Sequence, residues 1–279
     1  MNRIVLLFCL LFISGFSSAQ DDYYSCDNLI AFADNLFSTG DYERAIGEYL
    51  RATARCEEDS LRDSLWYRIA VGYLYLSRPL DARRYADRVA LSRSDSVYYA
   101  KTVCLRTFSY YVEHRYDSAA VNRSVSVKDP VWRQRLYQIQ IASLLRQYRW
   151  QEAVKTPAPS PADSLSLFLQ TIARQGISLD LKSPVTAGFL SAIVPGSGKL
   201  YSRRGWDGLY SLLVVGTMAW QSYEGYRKDG PVSVRCLVFG GLGGVFYAGN
   251  IYGSIVASRN YNESKRSSLA ERVMLRFNW

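Results

Sequence analysis

The sequence predicts an all-α protein in which a solenoid of paired helices precedes a small transmembrane helical domain. The first observation is a repeat: four short segments, each anchored on an alanine, recur at spacings of 37, 37 and 34 residues. A period in the mid-thirties with two amphipathic helices per unit is typical of an α-solenoid. The second observation is a change of composition near Ser183, after which three stretches of the chain contain no charged residue.

Residues 1–19 are predicted to be a signal peptide. Arg3 precedes an apolar run over residues 4–13, and small residues follow at 17–19, so cleavage is expected after Ala19. An uncleaved anchor is the alternative, although the apolar run is shorter than a full span. Export permits disulfides, and four cysteines remain after cleavage: Cys26, Cys56, Cys104 and Cys236.

The charge balance is basic. Removal of the leader takes away only Arg3, which leaves 33 basic and 25 acidic residues. In an exported chain this excess favours contact with anionic lipid or with membrane-flanking loops, and nucleic acid is not an expected partner.

The repeats are predicted to occupy residues 21–156. Their anchors are Ala45, Ala82, Ala119 and Ala153. The second unit resembles the tetratricopeptide repeat family most closely. Its matching residues are Trp66, Ile69, Ala70, Tyr73, Ala82 and Ala86. The resemblance implies small residues where the two helices of a unit cross and a concave groove along the first helix of each unit.

The groove is the candidate binding site for a protein or peptide partner. Carrying the family's groove positions onto this sequence selects Tyr67, Val71, Tyr75, Lys101, Phe108, Tyr111, Arg135, Gln138 and Arg146. Aromatic residues interleaved with Lys and Arg suit an extended or acidic segment. In the alternative, which stays open, the tyrosines pack between helices and the arginines form a solvated face.

A disulfide is predicted within the first repeat. Cys26 opens its first helix and Cys56 ends its second, so an antiparallel hairpin would bring the two cysteines together. Two separate buried thiols are the alternative. After the repeats, a proline-rich linker over residues 157–182 contains one predicted capping helix, residues 164–175, with Asp163 as its N-cap.

The membrane domain is predicted over residues 183–261. Its uncharged stretches are residues 183–198, 208–223 and 236–258. As helices, the last is about 34 Å long and the middle one about 24 Å, against a hydrocarbon core of about 30 Å. They are read as two full spans after a short or broken first helix. Glycines four apart would let helices pack closely: Gly240, Gly244, Gly249 and Gly253.

The segment "IVPGSGKLYS" is similar to a phosphate-binding loop but fails its pattern. Such a loop needs glycine at the position of Ile193 and Ser or Thr at that of Leu200, so no nucleotide is expected. The segment resembles instead a helical-hairpin membrane domain of uncharacterised bacterial envelope proteins. The matching residues are Pro195, Gly196, Gly198, Tyr201, Gly205 and Gly208.

Residues 262–279 are predicted to be a charged tail. Three membrane crossings would place eight basic residues on the cytoplasmic side and four outside, whereas two crossings would place three inside and nine outside. Because positive residues favour the cytoplasmic side, the count predicts three crossings and a cytoplasmic C-terminus. An alternative reading of the tail as an outer-membrane insertion signal rests on the alternation of Val273, Leu275, Phe277 and Trp279.

No catalytic role is expected. The chain contains one histidine, His114, and no HExxH, GxSxG or metal-spaced cysteine pair, so neither a metal nor a cofactor is predicted. The favoured hypothesis is a scaffold or assembly factor of the bacterial cell envelope, tethered to the inner membrane with its repeats in the periplasm. The alternatives are an outer-membrane-associated protein and an accessory subunit of an enzyme.

Overall fold

The computed structural model describes residues 24–89, 97–121 and 127–274, and every regular element in these ranges is a helix. The predicted signal peptide lies outside the described residues, as do Leu275, Phe277 and Trp279 of the predicted tail. The helices of the described part are α1 (Cys26–Ser38), α2 (Tyr42–Arg55), α3 (Asp59–Tyr75), α4 (Pro79–Ala86), α5 (Val97–Val112), α6 (Tyr116–Val121), α7 (Pro130–Arg146), α8 (Trp150–Lys155), α9 (Ser164–Ile177), α10 (Pro184–Ile193), α11 (Ser197–Tyr201), α12 (Gly205–Asp229) and α13 (Val234–Met274). The all-α prediction is therefore confirmed.

The chain divides into two compact units, residues 1–140 and 141–279. The sequence had placed the end of the repeats at residue 156, but the division falls inside α7. Its cause is the packing of α8 on α9 and of α9 on α13. The second helix of the predicted fourth repeat thus belongs to the same unit as the membrane segment.

In the first unit, each helix packs on the next from α1 to α6, and α3 also packs on α5. Side chains cap the N-termini of α1 and α2. Ser25 accepts a hydrogen bond from the backbone N–H of Asn28, and Asp41 accepts one from that of Arg44, each at 3.3 Å. Ala33, Ala45 and Ala52 are fully buried, which allows the helix backbones to approach. This is the neighbour-to-neighbour packing that a solenoid needs, and the tetratricopeptide assignment stays a prediction.

The first hairpin is closed by a covalent bond. Cys26 is the first residue of α1, and Cys56 is the C-cap of α2. They form a disulfide with 5.4 Å between their Cα atoms. The antiparallel hairpin brings the start of one helix to the end of the other, which is the arrangement inferred from the repeat pattern.

In the second unit, α9 packs on α8, most closely at Gly176. A Cβ added to Gly176 would lie 2.2 Å from Trp150 Cδ2, so the indole ring occupies the place of a side chain. Asp163 accepts a hydrogen bond of 2.8 Å from the backbone of Ser166 and caps α9, as predicted.

In the described residues, no break in the helix separates the predicted membrane domain from the predicted charged tail. Helix α13 is 41 residues long and continues to Met274, about 60 Å at 1.5 Å per residue. Its last turns bury Leu269, Ala270 and Val273, and α13 packs there on α9. The first part of the predicted tail is therefore helical: its charged residues lie on one side, and its apolar side continues the helix into a core.

Contacts join the segments on either side of the predicted membrane domain. The backbone N–H of Lys182 donates to the Asn262 side chain at 2.7 Å, and Arg272 donates to Gln175 at 3.1 Å. Groups in hydrogen-bond contact lie on the same side of a bilayer. An odd number of crossings between Lys182 and Asn262 would separate these groups, so the contacts count against three crossings, and the number of crossings stays a prediction.

One helix in the described part, Val234–Met274, is long and apolar enough by length and composition to cross a membrane.

Candidate functional site

Three aromatic rings surround the ammonium of Lys101 in the first unit. Its Nζ lies 5.4 Å from the ring centre of Tyr67 on α3, 4.8 Å from Tyr98 on α5 and 5.8 Å from Trp132 on α7. These distances are within the range of cation–π attraction. Lys101 forms no salt bridge with any described residue. The three helices that the repeat pattern assigns to the groove thus meet at one unneutralised charge.

The two other groove residues of α3 differ in exposure. Tyr75 is half exposed and stacks on Tyr42 with 4.8 Å between ring centres, and Val71 is partly buried. Beside them, burial raises the pKa of Tyr67 to about 12, which keeps its hydroxyl neutral at physiological pH.

Several predicted groove residues are not available to a partner. Phe108 and Tyr111 are buried and stack on each other with 6.0 Å between ring centres, and Gln138 is buried beside Arg135, from which it accepts a hydrogen bond of 3.4 Å. These three side chains are packed within the fold, and their role in binding stays a prediction. Arg146 belongs to the second unit.

The sequence reading missed Tyr98 and Trp132. Each lies three residues before a selected groove position, Lys101 and Arg135 respectively, and residues three apart share a helix face. That spacing was the signal that would have found them. Nearby, the Cys104 thiol is buried, and its Sγ lies 3.2 Å from the backbone oxygen of Trp132. Burial raises the pKa of Cys104 to about 12.

In the second unit, glycines shape the turn between α10 and α11. Gly196 has a φ of +90°, and an added Cβ would lie 2.0 Å from the backbone oxygen of Gly208. A Cβ on Gly198 would lie 1.8 Å from the oxygen of Ala187. The glycines of the Pro-Gly-x-Gly motif therefore let two backbone segments approach each other closely. This packing explains the glycines without a bound phosphate.

Side chains of α13 donate hydrogen bonds to backbone oxygens at the end of α10. The Tyr247 hydroxyl donates to the oxygen of Ala192 at 2.5 Å, and the Asn250 amide donates to the oxygen of Ser191 at 3.4 Å. The Ser191 hydroxyl pairs with Ser254 at 2.7 Å. Irregular backbone is tolerated at membrane depth where protein groups satisfy it. These bonds meet that condition for the α10–α11 hairpin, which is defined here as residues 183–204.

The uncharged stretch of residues 236–258 therefore has a polar stripe, which continues to Asn262. Its members recur every three or four residues on the face of α13 toward α10: Tyr247, Asn250, Ser254, Ser258 and Asn262. The spacing was visible in the sequence, but only the contact with α10 shows its purpose.

Two further motif residues anchor the hairpin. The backbone N–H of Ser183 donates to the Tyr201 hydroxyl at 3.2 Å, which ties the two ends of the hairpin together. The Lys199 ammonium donates to Ser211 of α12 at 2.6 Å, and it lies next to Gly253, where an added Cβ would be 3.6 Å from Nζ. A Cβ added to Gly205 would lie 3.7 Å from Leu200 Cδ1, an ordinary van der Waals contact.

The four glycines predicted to pack helices fall into two groups. Gly240 faces Ser222 of α12, and Gly253 faces Lys199. Gly244 and Gly249 have no atom within 4 Å of an added Cβ, and Gly244 lines an open apolar cavity of about 640 Å³. Gly244 and Gly249 therefore make no close contact of this kind among the described residues, and their role in helix packing stays a prediction.

The chain matches no protein-family model, no curated protein and no solved structure. Among the described residues, no group of three or more His, Cys, Asp or Glu side chains could hold a metal ion. Over the described residues the fold is all-helical, and one of these helices could span a membrane by length and composition.

Proposed function

We propose that the protein is a membrane-tethered scaffold or assembly factor of the bacterial cell envelope. Its tetratricopeptide-like repeats would bind an acidic segment of a protein partner on the exported side of the inner membrane. The repeat periodicity, the predicted signal peptide and the apolar helices of the second unit support this proposal.

The exposed apolar surface of α12 and α13 favours a membrane location. Large side chains on both helices are more than two-fifths exposed: Leu209, Tyr210, Leu212, Leu213, Trp220, Tyr223, Leu237, Val238, Leu242, Val245, Phe246 and Tyr252. A soluble monomer rarely exposes so large a continuous apolar area. Lipid is the environment that would cover it.

Within this proposal α12 and α13 cross the bilayer, and the α10–α11 hairpin enters and leaves it on one side. The uncharged part of α12, about 24 Å long, is short for a span, and Trp206 and Trp220 would sit near the interfaces. The connection at residues 230–233 then faces the cytoplasm. The segments before Lys182 and after Asn262 share the other side.

The partner proposal depends on the three aromatic rings around the Lys101 ammonium. Three rings attract its ammonium, but a ring is not a hydrogen-bond acceptor of the strength of a carboxylate. A carboxylate of a partner segment would accept from Nζ in a partly dehydrated site. The exposed ring of Tyr75 would contact apolar parts of the same segment.

Site-specific photocrosslinking in living cells tests this proposal. A photoreactive amino acid at Tyr75 should crosslink to a protein partner, whereas one at Leu80, which is equally exposed on α4, should not. The substitution Lys101→Glu should abolish the Tyr75 crosslink because it replaces attraction by repulsion. Arg55→Glu, an exposed change on α2, is the matched control and should leave the crosslink intact.

Two results would contradict the groove as the binding site. One is an undiminished Tyr75 crosslink in Lys101→Glu protein that is folded and present at normal level. The other is equal crosslinking from Tyr75 and Leu80, which would indicate non-specific contact.

A further inference from the structure

We infer that the α10–α11 hairpin and the start of α12 form a binding site for an anionic phospholipid. An acyl chain lies in the apolar groove between α11 and α12, and the phosphate is bound at the turn that contains Arg203 and Arg204. This inference rests on the membrane anchoring proposed above and does not depend on the repeat groove.

The groove has the size and lining that a hydrocarbon chain needs. It encloses about 310 Å³, and its walls include Pro195, Gly196, Leu200, Gly208, Leu209 and Leu212. Leu200, Leu209 and Leu212 are each more than two-fifths exposed in the protein alone. Gly205 lines the groove without a side chain to fill it, and Gly208 lets the backbone of Gly196 pack against α12.

The turn beside the groove carries an unneutralised positive charge: the backbone N–H of Arg203 donates to the oxygen of Leu200 at 2.9 Å, and Leu200 lines the groove. Arg204 forms a salt bridge of 2.6 Å with Asp207. Arg203, whose φ is +60°, forms no salt bridge with any residue that the structure describes. Trp206 is 85% exposed in the next turn, and an indole at this position suits the interface between headgroups and hydrocarbon.

The positive charge of Arg203 decides which occupant of the apolar groove is favoured. A zwitterionic lipid would fill the groove, but its phosphate is already paired with its own cation. A second copy of the chain would bring an identical basic turn toward the membrane surface. A free phosphate would leave the leucines exposed. An anionic phospholipid satisfies both the guanidinium and the apolar walls.

Native mass spectrometry of the full-length protein in mild detergent tests the site. With equal additions of phosphatidylglycerol and phosphatidylcholine, we expect preferential retention of phosphatidylglycerol. Arg203→Gln should weaken this binding by about tenfold, the loss of one charge-assisted contact, and Arg203→Lys should restore most of it. Leu209→Trp should block the groove. Leu213→Trp, on an exposed position outside it, should not.

Equal retention of the two lipids would overturn the inference, and so would unchanged binding to folded Arg203→Gln protein. Displacement of phosphatidylglycerol by millimolar inorganic phosphate alone would show an anion site without a lipid site. Alkaline extraction of membranes separates this failure from failure of the proposed anchoring. Protein that stays in the membrane but shows no lipid preference refutes only the lipid site.

Discussion

The Tyr148 hydroxyl donates a hydrogen bond of 2.6 Å to the Glu263 carboxylate, across 115 positions of the sequence. The Arg266 guanidinium lies 5.9 Å from the centre of the same ring. Burial, together with the hydrogen bond to Glu263, raises the pKa of Tyr148 to about 12. These contacts form within one folded unit, so the residues around 148 and those around 263 lie on one side of any membrane.

The first prediction follows for topology. Ser268→Cys on the end of α13 and Leu80→Cys in the repeats should react with a membrane-impermeant maleimide from the same side. Val232→Cys between α12 and α13 should react only after the membrane is permeabilised. Cys236→Ala removes the background thiol near the connection.

Protection of Ser268→Cys together with labelling of Val232→Cys in intact membranes would instead support the three-crossing arrangement. The charge count favours that arrangement, with nine basic residues outside in the two-crossing case. However, long domains translocate largely regardless of their charge, and a large repeat domain precedes this segment. We therefore expect the tertiary contacts to decide the topology.

The second prediction concerns the hairpin glycines. Gly198→Ala should destabilise the membrane domain by about 1–3 kcal/mol or more, because its Cβ would overlap the backbone oxygen of Ala187. Gly244→Ala is the matched control and should have little effect, since open space surrounds that position. Thermal unfolding in detergent compares the two variants. Equal loss of stability would contradict the described backbone contact.

The third prediction concerns the disulfide. Cys26→Ser should lower the free energy of unfolding by about 3–4 kcal/mol, because the bond closes a separation of 30 residues. Urea unfolding followed by circular dichroism measures this change, and the same experiment on reduced wild-type protein is the control. Mass spectrometry of non-reduced protein should find Cys26 and Cys56 linked. Two free thiols in exported protein would refute the bond.

The fourth prediction concerns Cys104. With its pKa raised by burial to about 12, the thiol should resist alkylation at pH 8 in folded protein and react after unfolding. Between pH 9 and 12 the unfolded thiol ionises while the folded one stays protonated, so its contribution to stability falls as pH rises. Cys104→Ala should flatten this part of the stability profile. Rapid alkylation of Cys104 in folded protein would contradict its burial.

The sequence by itself determined the all-helical class, because periodic apolar residues and caps such as Asp163 act within a few residues of each other. The pairing of Cys26 with Cys56 could be predicted for a similar reason, because the two cysteines lie at the two ends of a single helical hairpin. The sequence also identified Lys101 and Tyr67 as groove candidates, because the family's groove positions were carried onto the second and third repeats.

Only the tertiary structure decided which groove candidates are accessible. Phe108 and Tyr111 have the same residue types as the accessible candidates, and burial by neighbouring helices, which depends on distant residues, separates the two groups. Likewise, local composition ended the membrane domain before Asn262, but α9 supplies the surface that buries Val273. The side of the membrane on which α13 ends depends on contacts such as that between Tyr148 and Glu263. A local pattern cannot encode such a contact, because its energy arises only when two distant segments fold together.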